Sequence, residues 1–482
     1  MTDQKYAISH WPDTEEILAR LDRLVHQPMR PIARDKMGEY LGYFENRCKK
    51  SKSLIEKARQ YIPGGVQHNL AFNYPFPIAI DKAEGPYLWD VDGNRYIDFL
   101  QAGGPTLLGN NFKGIREKVI DLITNCGPVT GLFHEYELKL AELINRHMPA
   151  VEMFRMLGSG TEGVMAAIRA ARNFTGNKKI IKVGGAYHGW SDQMVYGLHI
   201  PGLAGFEAHG IPSECLEHTQ EFFPNDIDGP NGLTALMKKN EADGGTAAVI
   251  VEPLGPESAT RPVTPDFNKR VRELCDRFGA LLIFDEVVTG FRLGLGGAQG
   301  YFKIKPDLTV FGKCVAGGYP AAGGLGGRKD IMLTLAAGLE AGKPRVYLGG
   351  TLAANPLSCV AGYYSILAIE ENQAHVVAGR AGDRLCRGLN EIIERLGLPF
   401  VAFNHGSICH LETSGVMLLN IDHPNLLEEA KGRKHMMEEM GAAFMAEGIV
   451  TLAGSRLYTS MADTDDVIDD ALERFDRVFK SM

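Results

Sequence analysis

The sequence predicts an α/β protein: a large domain built on a mainly parallel sheet flanked by helices, accompanied by a smaller domain. Three observations point there. Short runs at "KKIIKV" (178–183), "TAAVIVEP" (246–253), "ALLIFDE" (280–286) and "DLTVFG" (307–312) are apolar on both faces, as strands inside a parallel sheet are. Long amphipathic stretches separate them, the alternation of a sheet covered by helices. At 482 residues, with 45% hydrophobic and 23% charged, the chain can enclose a large core.

Taken in order, residues 1–50 mix charged and apolar positions in a helical rhythm ("EEILARLDRLV", then "MGEYLGYF"), interrupted at Pro28 and Pro31. They read as a helical N-terminal arm. A further helix ends near Tyr61, and "IPGGVQHNLAFNYPFP" follows as a Pro- and Gly-broken loop. "YLWDVDGNRYIDF" then sets an Asp-Gly turn between aromatic and β-branched runs, the signature of a hairpin. After the strand and helix alternation come helical patterns at 355–372 and 375–396. The tail "DTDDVIDDALERFDRVF" carries helix periodicity with acids in its first turn, where they complement the dipole.

Composition narrows the partners. A formal net charge of -8 and the lack of a Lys/Arg block argue against a protein that grips nucleic-acid backbone. No uncharged run approaches membrane-spanning length and the N-terminus lacks an apolar signal core, so the protein is placed in the cytoplasm without a membrane partner. The 8 Cys are scattered without CxxC spacing and read as reduced interior thiols, not a disulfide frame or a metal site. Cys314 is read as packing. Small molecules remain as the partners.

Ligands of open α/β sheets sit at the carboxyl ends of strands, and the chemistry-bearing residues follow such ends here. In "LGSGTEGVMAAIRAARNF" (157–174) a Gly-rich turn runs into a helix, whose exposed first N–H groups, with the Ser159 and Thr161 hydroxyls, make a pocket for a phosphate dianion. A plain capped turn explains the same residues. In "GGAYHGWSD" (184–192), Tyr187, His188 and Trp190 crowd a loop where a ring could stack on a flat ligand, or close a core. In "LLIFDEVVTGFR" (281–292) an apolar run stops at Asp285 and Glu286, which need a cation or an equivalent partner. Asp285 suits a protonated heterocyclic nitrogen, or else a structural ion pair with Arg292 or another cation. In "FGKCVAGGYPAAGG" (311–324), Lys313 lies between an apolar strand and Gly-rich backbone, where lost solvation favours a nucleophilic amine; a solvated surface lysine is the alternative.

A phosphate cradle, a stacking ring, an acid for a ring nitrogen and a lysine for an aldehyde are together what pyridoxal 5′-phosphate requires. From residue 54 onward the chain resembles the class III (ω-type) aminotransferases of fold type I, in particular their glutamate-1-semialdehyde aminomutase branch. The resemblance rests on "IPGGV", "YLWDVDGNRYIDF", "GSGTEGVMAAIRAAR", "KIIKVGGAYHG", "LLIFDEVVTGFR", "GGAQGYF", "PDLTVFGK" and "GGTLAANPL" occurring in that order. It implies the arm at 1–50, the first part of a small α+β domain at 51–100, a large cofactor-binding domain at 101–345, and linking helices with the rest of the small domain at 346–482. It further implies that Lys313 forms the Schiff base and Asp285 binds the pyridine nitrogen. Val287 and Tyr187 would flank the ring beside His188, Ser159, Gly160 and Thr161 would hold the phosphate, and Glu252 would stand near the phenolic edge. Gly350 and Thr351 would complete the phosphate site of the neighbouring subunit, which makes a homodimer with shared active sites.

The implied reaction is transamination between a small-molecule amino donor and a carbonyl acceptor. Two departures bear on substrate. Where the aminomutase reads Gly-Gly-Val, then Ser and an Arg, this chain reads "GGVQHNLAFN" (64–73). Gln67, His68 and Asn69 cannot pair a carboxylate in the bidentate manner of guanidinium, so glutamate-1-semialdehyde is not the expected substrate. The stretch "LAGSRLYTSMADT" (452–464) is shorter than its counterpart and lacks its Glu, but holds Arg456, a clamp for an anionic substrate group or else a surface residue. His68, Asn69, Trp190 and Arg456 are thus the candidate substrate residues. An ammonia-lyase or an aminomutase on a small amino compound is the alternative outcome. The N-terminal arm exceeds the aminomutase pattern and has the length to cover the partner subunit or the mouth of the site.

Overall fold

Strands form where the sequence is apolar on both faces. The computed structural model describes residues 5–336, 345–419 and 425–482, and divides into two units, residues 113–373 and residues 1–112 with 374–482. In the first unit, strands Lys179–Val183, Thr246–Val251, Leu281–Asp285 and Leu308–Gly312 pair in parallel within a seven-stranded sheet. Thr219–Phe222 adds to one edge, parallel to Lys179–Val183. At the other edge Gly323–Gly327 runs antiparallel between Leu308–Gly312 and Met153–Leu157. The sheet is thus mainly parallel, as expected, with one reversed strand.

Alternation along each strand makes two cores. Ile180, Ile250, Ile283 and Val310 are buried with Val164, Ala167, Ile168 and Ala171 of helix Gly160–Thr175. Ile181, Val249, Val251, Leu282 and Phe284 are buried with Phe267, Val271 and Cys275 of helix Phe267–Phe278. Successive side chains of a strand point to opposite faces, so adjacent isoleucines serve different cores. Each such side chain contributes about 1.5–3 kcal/mol on full burial, which fixes the register and hence the position of every strand end.

Helix Pro356–Asn372 packs on helices Lys113–Asn125 and Glu135–His147 and so belongs to this unit. The unit boundaries at 112 and 373 therefore differ from the 100 and 345 read from the sequence.

The second unit contains the expected hairpin: Tyr87–Asp90 and Arg95–Asp98 pair antiparallel, with Gly93 left-handed at φ 89° in the turn. Helices Thr14–His26 and Arg34–Arg47 form the arm. Their Ile17, Leu21, Leu24, Met37 and Phe44 enter one core with Leu385, Leu389, Met440, Phe444 and Phe475. Arg34 donates to both carboxylate oxygens of Glu439 at 2.7 Å, and the Arg433 guanidinium reaches the Val25 carbonyl at 2.9 Å. The arm's apolar stripe is therefore spent on its own unit, where the sequence left it free to cover a partner. Among the described residues no helix is long and apolar enough to cross a membrane.

Candidate active site

The parallel strands all end toward the same edge of their sheet, and the site residues follow those ends. Asp285 closes its strand opposite Val310 of the neighbouring strand, which continues through Gly312 to Lys313. Lys313 itself adopts φ 46° and begins a tight turn, Lys313–Ala316. A left-handed non-glycine residue costs about 1–3 kcal/mol, so the packing around this strand end enforces the turn.

Asp285 is 5% exposed. His188 Nδ1–H donates to its Oδ2 at 2.7 Å, and the Val287 N–H donates to Oδ1 at 3.0 Å. Burial pushes the His188 imidazole below its usual pKa, against the opposing pull of Asp285, so the ring is neutral at pH 7. Its Nε2 is buried without a hydrogen-bond partner among the described residues. The neighbouring acid is satisfied differently: Glu286 accepts from the Ala298 N–H at 2.6 Å, the Gln299 N–H at 3.1 Å and the Thr289 hydroxyl at 3.0 Å. Of the two acids that end the apolar run, one serves the fold and the other faces the candidate site.

Val287 joins the strand ends. A Cβ added at Gly160 would lie 2.8 Å from its Cγ2, and one added at Gly312 would lie 2.8 Å from its Cγ1. Both positions need glycine for this approach. Ser159 caps helix Gly160–Thr175, its hydroxyl accepting from the Glu162 N–H at 3.2 Å. The N–H groups of Gly160 and Thr161 are in the first helical turn, where no intrahelical acceptor exists. Thr161 also packs on the loop that carries His188, for a Cβ at Gly189 would meet its Oγ1 at 2.5 Å.

Glu252 follows its strand and is buried. It accepts from the Tyr187 N–H at 3.0 Å, the Glu257 N–H at 2.7 Å, the Ser258 hydroxyl at 2.9 Å and the Ser258 N–H. Glu257, Ser258 and Ala259 are all left-handed, with φ of 46°, 49° and 84°, a strained turn that aims consecutive N–H groups at one carboxylate. Burial, and then the charge of Asp285, still push the Glu252 carboxyl up to about 7.

The structure thus brings Ser159, Gly160, Thr161, Tyr187, His188, Glu252, Asp285, Val287 and Lys313 to one edge of one sheet. Tyr187 is half exposed and Trp190 is 77% exposed. Gly350 and Thr351 are exposed, and a Cβ at Gly350 would lie 3.5 Å from the Glu162 carboxylate. His68, Asn69 and Arg456 belong to the other unit. His68 Nδ1 accepts from the Leu70 N–H at 3.0 Å, so that ring caps its own turn. Arg456 begins strand Arg456–Tyr458. Sequence reasoning missed Lys182, Glu257 and Ser258; only the lysine left a signal, as a charge inside the apolar run "KIIKV".

This residue set fits pyridoxal 5′-phosphate. It offers a helix start for a dianion, a buried carboxylate with two fixed donors for a cationic ring nitrogen, an apolar flank at Val287 and a primary amine just past the end of the adjacent strand.

A family model for class III aminotransferases matches residues 70–479. Among solved structures, an omega-transaminase from Sphaerobacter thermophilus is 28% identical with a TM-score of 0.80, over 91% of this chain and 99% of that one. A beta-phenylalanine aminotransferase from Variovorax paradoxus is 26% identical with a TM-score of 0.77, over 95% and 97%. A glutamate-1-semialdehyde aminomutase from Pseudomonas aeruginosa PAO1, 21% identical with a TM-score of 0.76 over 96% and 99%, shares the fold. The chain belongs to the class III aminotransferases, enzymes that depend on pyridoxal 5′-phosphate.

Proposed function

We propose that this chain moves an amino group between a small amino acid or amine and a keto acid or aldehyde, with Lys313 and Asp285 acting at the cofactor. The observation that carries this reading is the buried Asp285 carboxylate, held by His188 at 2.7 Å and by the Val287 N–H at 3.0 Å, on the strand beside the one that leads to Lys313. The cofactor, when bound, supplies an aldehyde that condenses with amines and a protonated ring that accepts an electron pair. Asp285 keeps the proton on the ring nitrogen: unit charges ~4 Å apart at an effective dielectric of ~20 attract by about 4 kcal/mol, roughly three pKa units. Lys313 anchors the aldehyde. Lys313 Nζ would also be the base for the proton on the carbon bearing the substrate nitrogen.

Ser159, Gly160 and Thr161 bind the phosphate at the helix start, joined by Gly350 of the partner subunit and Thr351 of the partner subunit. Val287 and Tyr187 flank the ring, and Glu252 stands at its phenolic edge. A homodimer is supported by apolar exposure: Leu132 and Phe133 are 80% and 75% exposed, and Ile120, Ile123 and Val129 are about half exposed. We assign substrate roles to Trp190 in one unit and to His68, Asn69 and Arg456 in the other, the last toward an anionic group. The cytoplasm is the proposed compartment.

A screen of amino donors against pyruvate and 2-oxoglutarate tests the reading. The expected result is one new amino acid for each keto acid consumed, lost in Lys313→Ala, with borohydride fixing the chromophore to the wild-type chain alone. The neutral loop at residues 64–73 favours the second reading: ammonia released without an acceptor selects a lyase, and isomerisation without one selects a mutase. A cofactor-loaded protein that does none of these on any donor sinks both readings.

A further inference from the structure

Strand Lys179–Val183 carries a charged side chain that no solvent reaches. Lys182 is 0% exposed, and its ammonium donates to the Ala186 carbonyl at 2.8 Å, the Tyr196 carbonyl at 2.9 Å and the Met194 carbonyl at 3.2 Å. An ammonium has three N–H donors, so all are in use. The acceptors lie at the two ends of one loop: Ala186 immediately precedes Tyr187 and His188, while Met194 and Tyr196 close the segment that follows Trp190. Burial pulls the amine down to about 8, the surrounding Glu221, Glu252, Glu257 and Glu207 opposing the fall, so it remains charged at pH 7.

We propose that Lys182 is a positioning residue: by clamping both ends of loop 186–196 it sets where His188 meets Asp285 and where Tyr187 stands, and through them the affinity for pyridoxal phosphate. The affinity part rests on the reading of this site given above. Glycines in and beside the loop follow backbone that other residues adopt only at a cost. Gly185, Gly189 and Gly197 are left-handed at φ 82°, 85° and 60°, a conformation glycine reaches and leaves at little cost. Lys182→Met keeps the length of the side chain but leaves three carbonyls without their donor. Buried polar groups tolerate that poorly, and the loop relieves it by moving toward water.

The test uses the full chain and two readouts. In protein stripped of cofactor and labelled with 15N-histidine, the His188 Nδ1–H bonded to a buried carboxylate gives a far-downfield proton signal. That signal is expected to disappear in Lys182→Met. In a fluorescence titration with pyridoxal phosphate, the dissociation constant of Lys182→Met is expected to rise at least about tenfold, the equivalent of one buried hydrogen bond. Lys182→Gln, which keeps two donors, falls between, and its two readouts decide the matter if the Met variant does not fold. Lys179→Met is the control: Lys179 Nζ is 3.1 Å from Asp243 at the far end of the same strand, and both readouts stay at wild type. An unmoved His188 signal with affinity within about twofold of wild type overturns the proposal. If wild-type protein takes up no pyridoxal phosphate, the site reading fails, and the His188 signal alone still decides whether Lys182 positions the loop.

Discussion

His188 Nδ1 sits 2.7 Å from Asp285 Oδ2, with the two residues 1% and 5% exposed. A neutral imidazole satisfies one carboxylate oxygen without cancelling its charge, which leaves that charge for a cation in the site. Asp285→Asn keeps the shape and removes the charge. Loss of an attraction of about 4 kcal/mol corresponds to a drop in kcat of about 10³-fold, measured by single-turnover consumption of an amino donor. A loss below about tenfold would mean that the aspartate serves only the fold.

Gly160→Ala tests the closeness of the helix start to Val287. Alanine favours a helix by up to about 1 kcal/mol over glycine, but its Cβ would stand 2.8 Å from Val287 Cγ2. Overpacking of this kind costs about 1–3 kcal/mol, so the overlap outweighs the helix gain. A lower melting temperature and weaker pyridoxal phosphate binding are expected, with Gly160→Ala/Val287→Ala recovering both. A single variant as stable as wild type would show that Val287 yields freely.

The sheet was legible because burial on both faces writes uninterrupted apolar runs, and Thr246–Val251, Leu281–Asp285 and Leu308–Gly312 fall on three of them. Gly323–Gly327 was not, for a strand made of glycine and one leucine has no apolar pattern; Gly323 packs on the Ser159 backbone and Gly324 against the Phe154 ring. The Glu257–Ala259 turn was hidden for a related reason. Its left-handed residues are ordinary side chains whose strain is repaid by hydrogen bonds to Glu252, and nothing local announces it. The residues Asp285 and His188 were both singled out in the sequence, yet their bond spans 97 positions and no spacing rule connects them. Lys182 was passed over because a lysine in a strand is ordinarily read as a solvated end.

Association is tested at Leu132 and Phe133, 80% and 75% exposed in the segment between helices Lys113–Asn125 and Glu135–His147. Apolar side chains this open mark an interaction surface when they occur together. Leu132→Glu/Phe133→Glu puts two charges where a dry contact is proposed. Sedimentation velocity is expected to show a dimer for the wild type and a monomer for the variant, with unchanged far-UV circular dichroism. A dimer that survives both charges would locate the interface elsewhere.

Acid stability follows from His405, which is fully buried, has no hydrogen-bond partner at either ring nitrogen among the described residues, and lies 4.9 Å from the Trp11 ring between centroids. Burial pulls its imidazole down to about 3, and His375 in the same unit is pulled down to about 4. Both pKa values are depressed on folding, so between an unfolded value of about 6.5 and those folded values the unfolded chain binds more protons. Stability from these groups is therefore complete above about pH 6.5 and is lost as pH falls toward the folded values, at up to about 1.4 kcal/mol per pH unit for each. Urea unfolding at pH 7 and pH 5 should show the midpoint dropping in the wild type and dropping less in His405→Phe, which keeps a ring under Trp11 but cannot take up a proton. An equal drop in both would mean that His405 is as easily protonated in the folded chain as in the unfolded one.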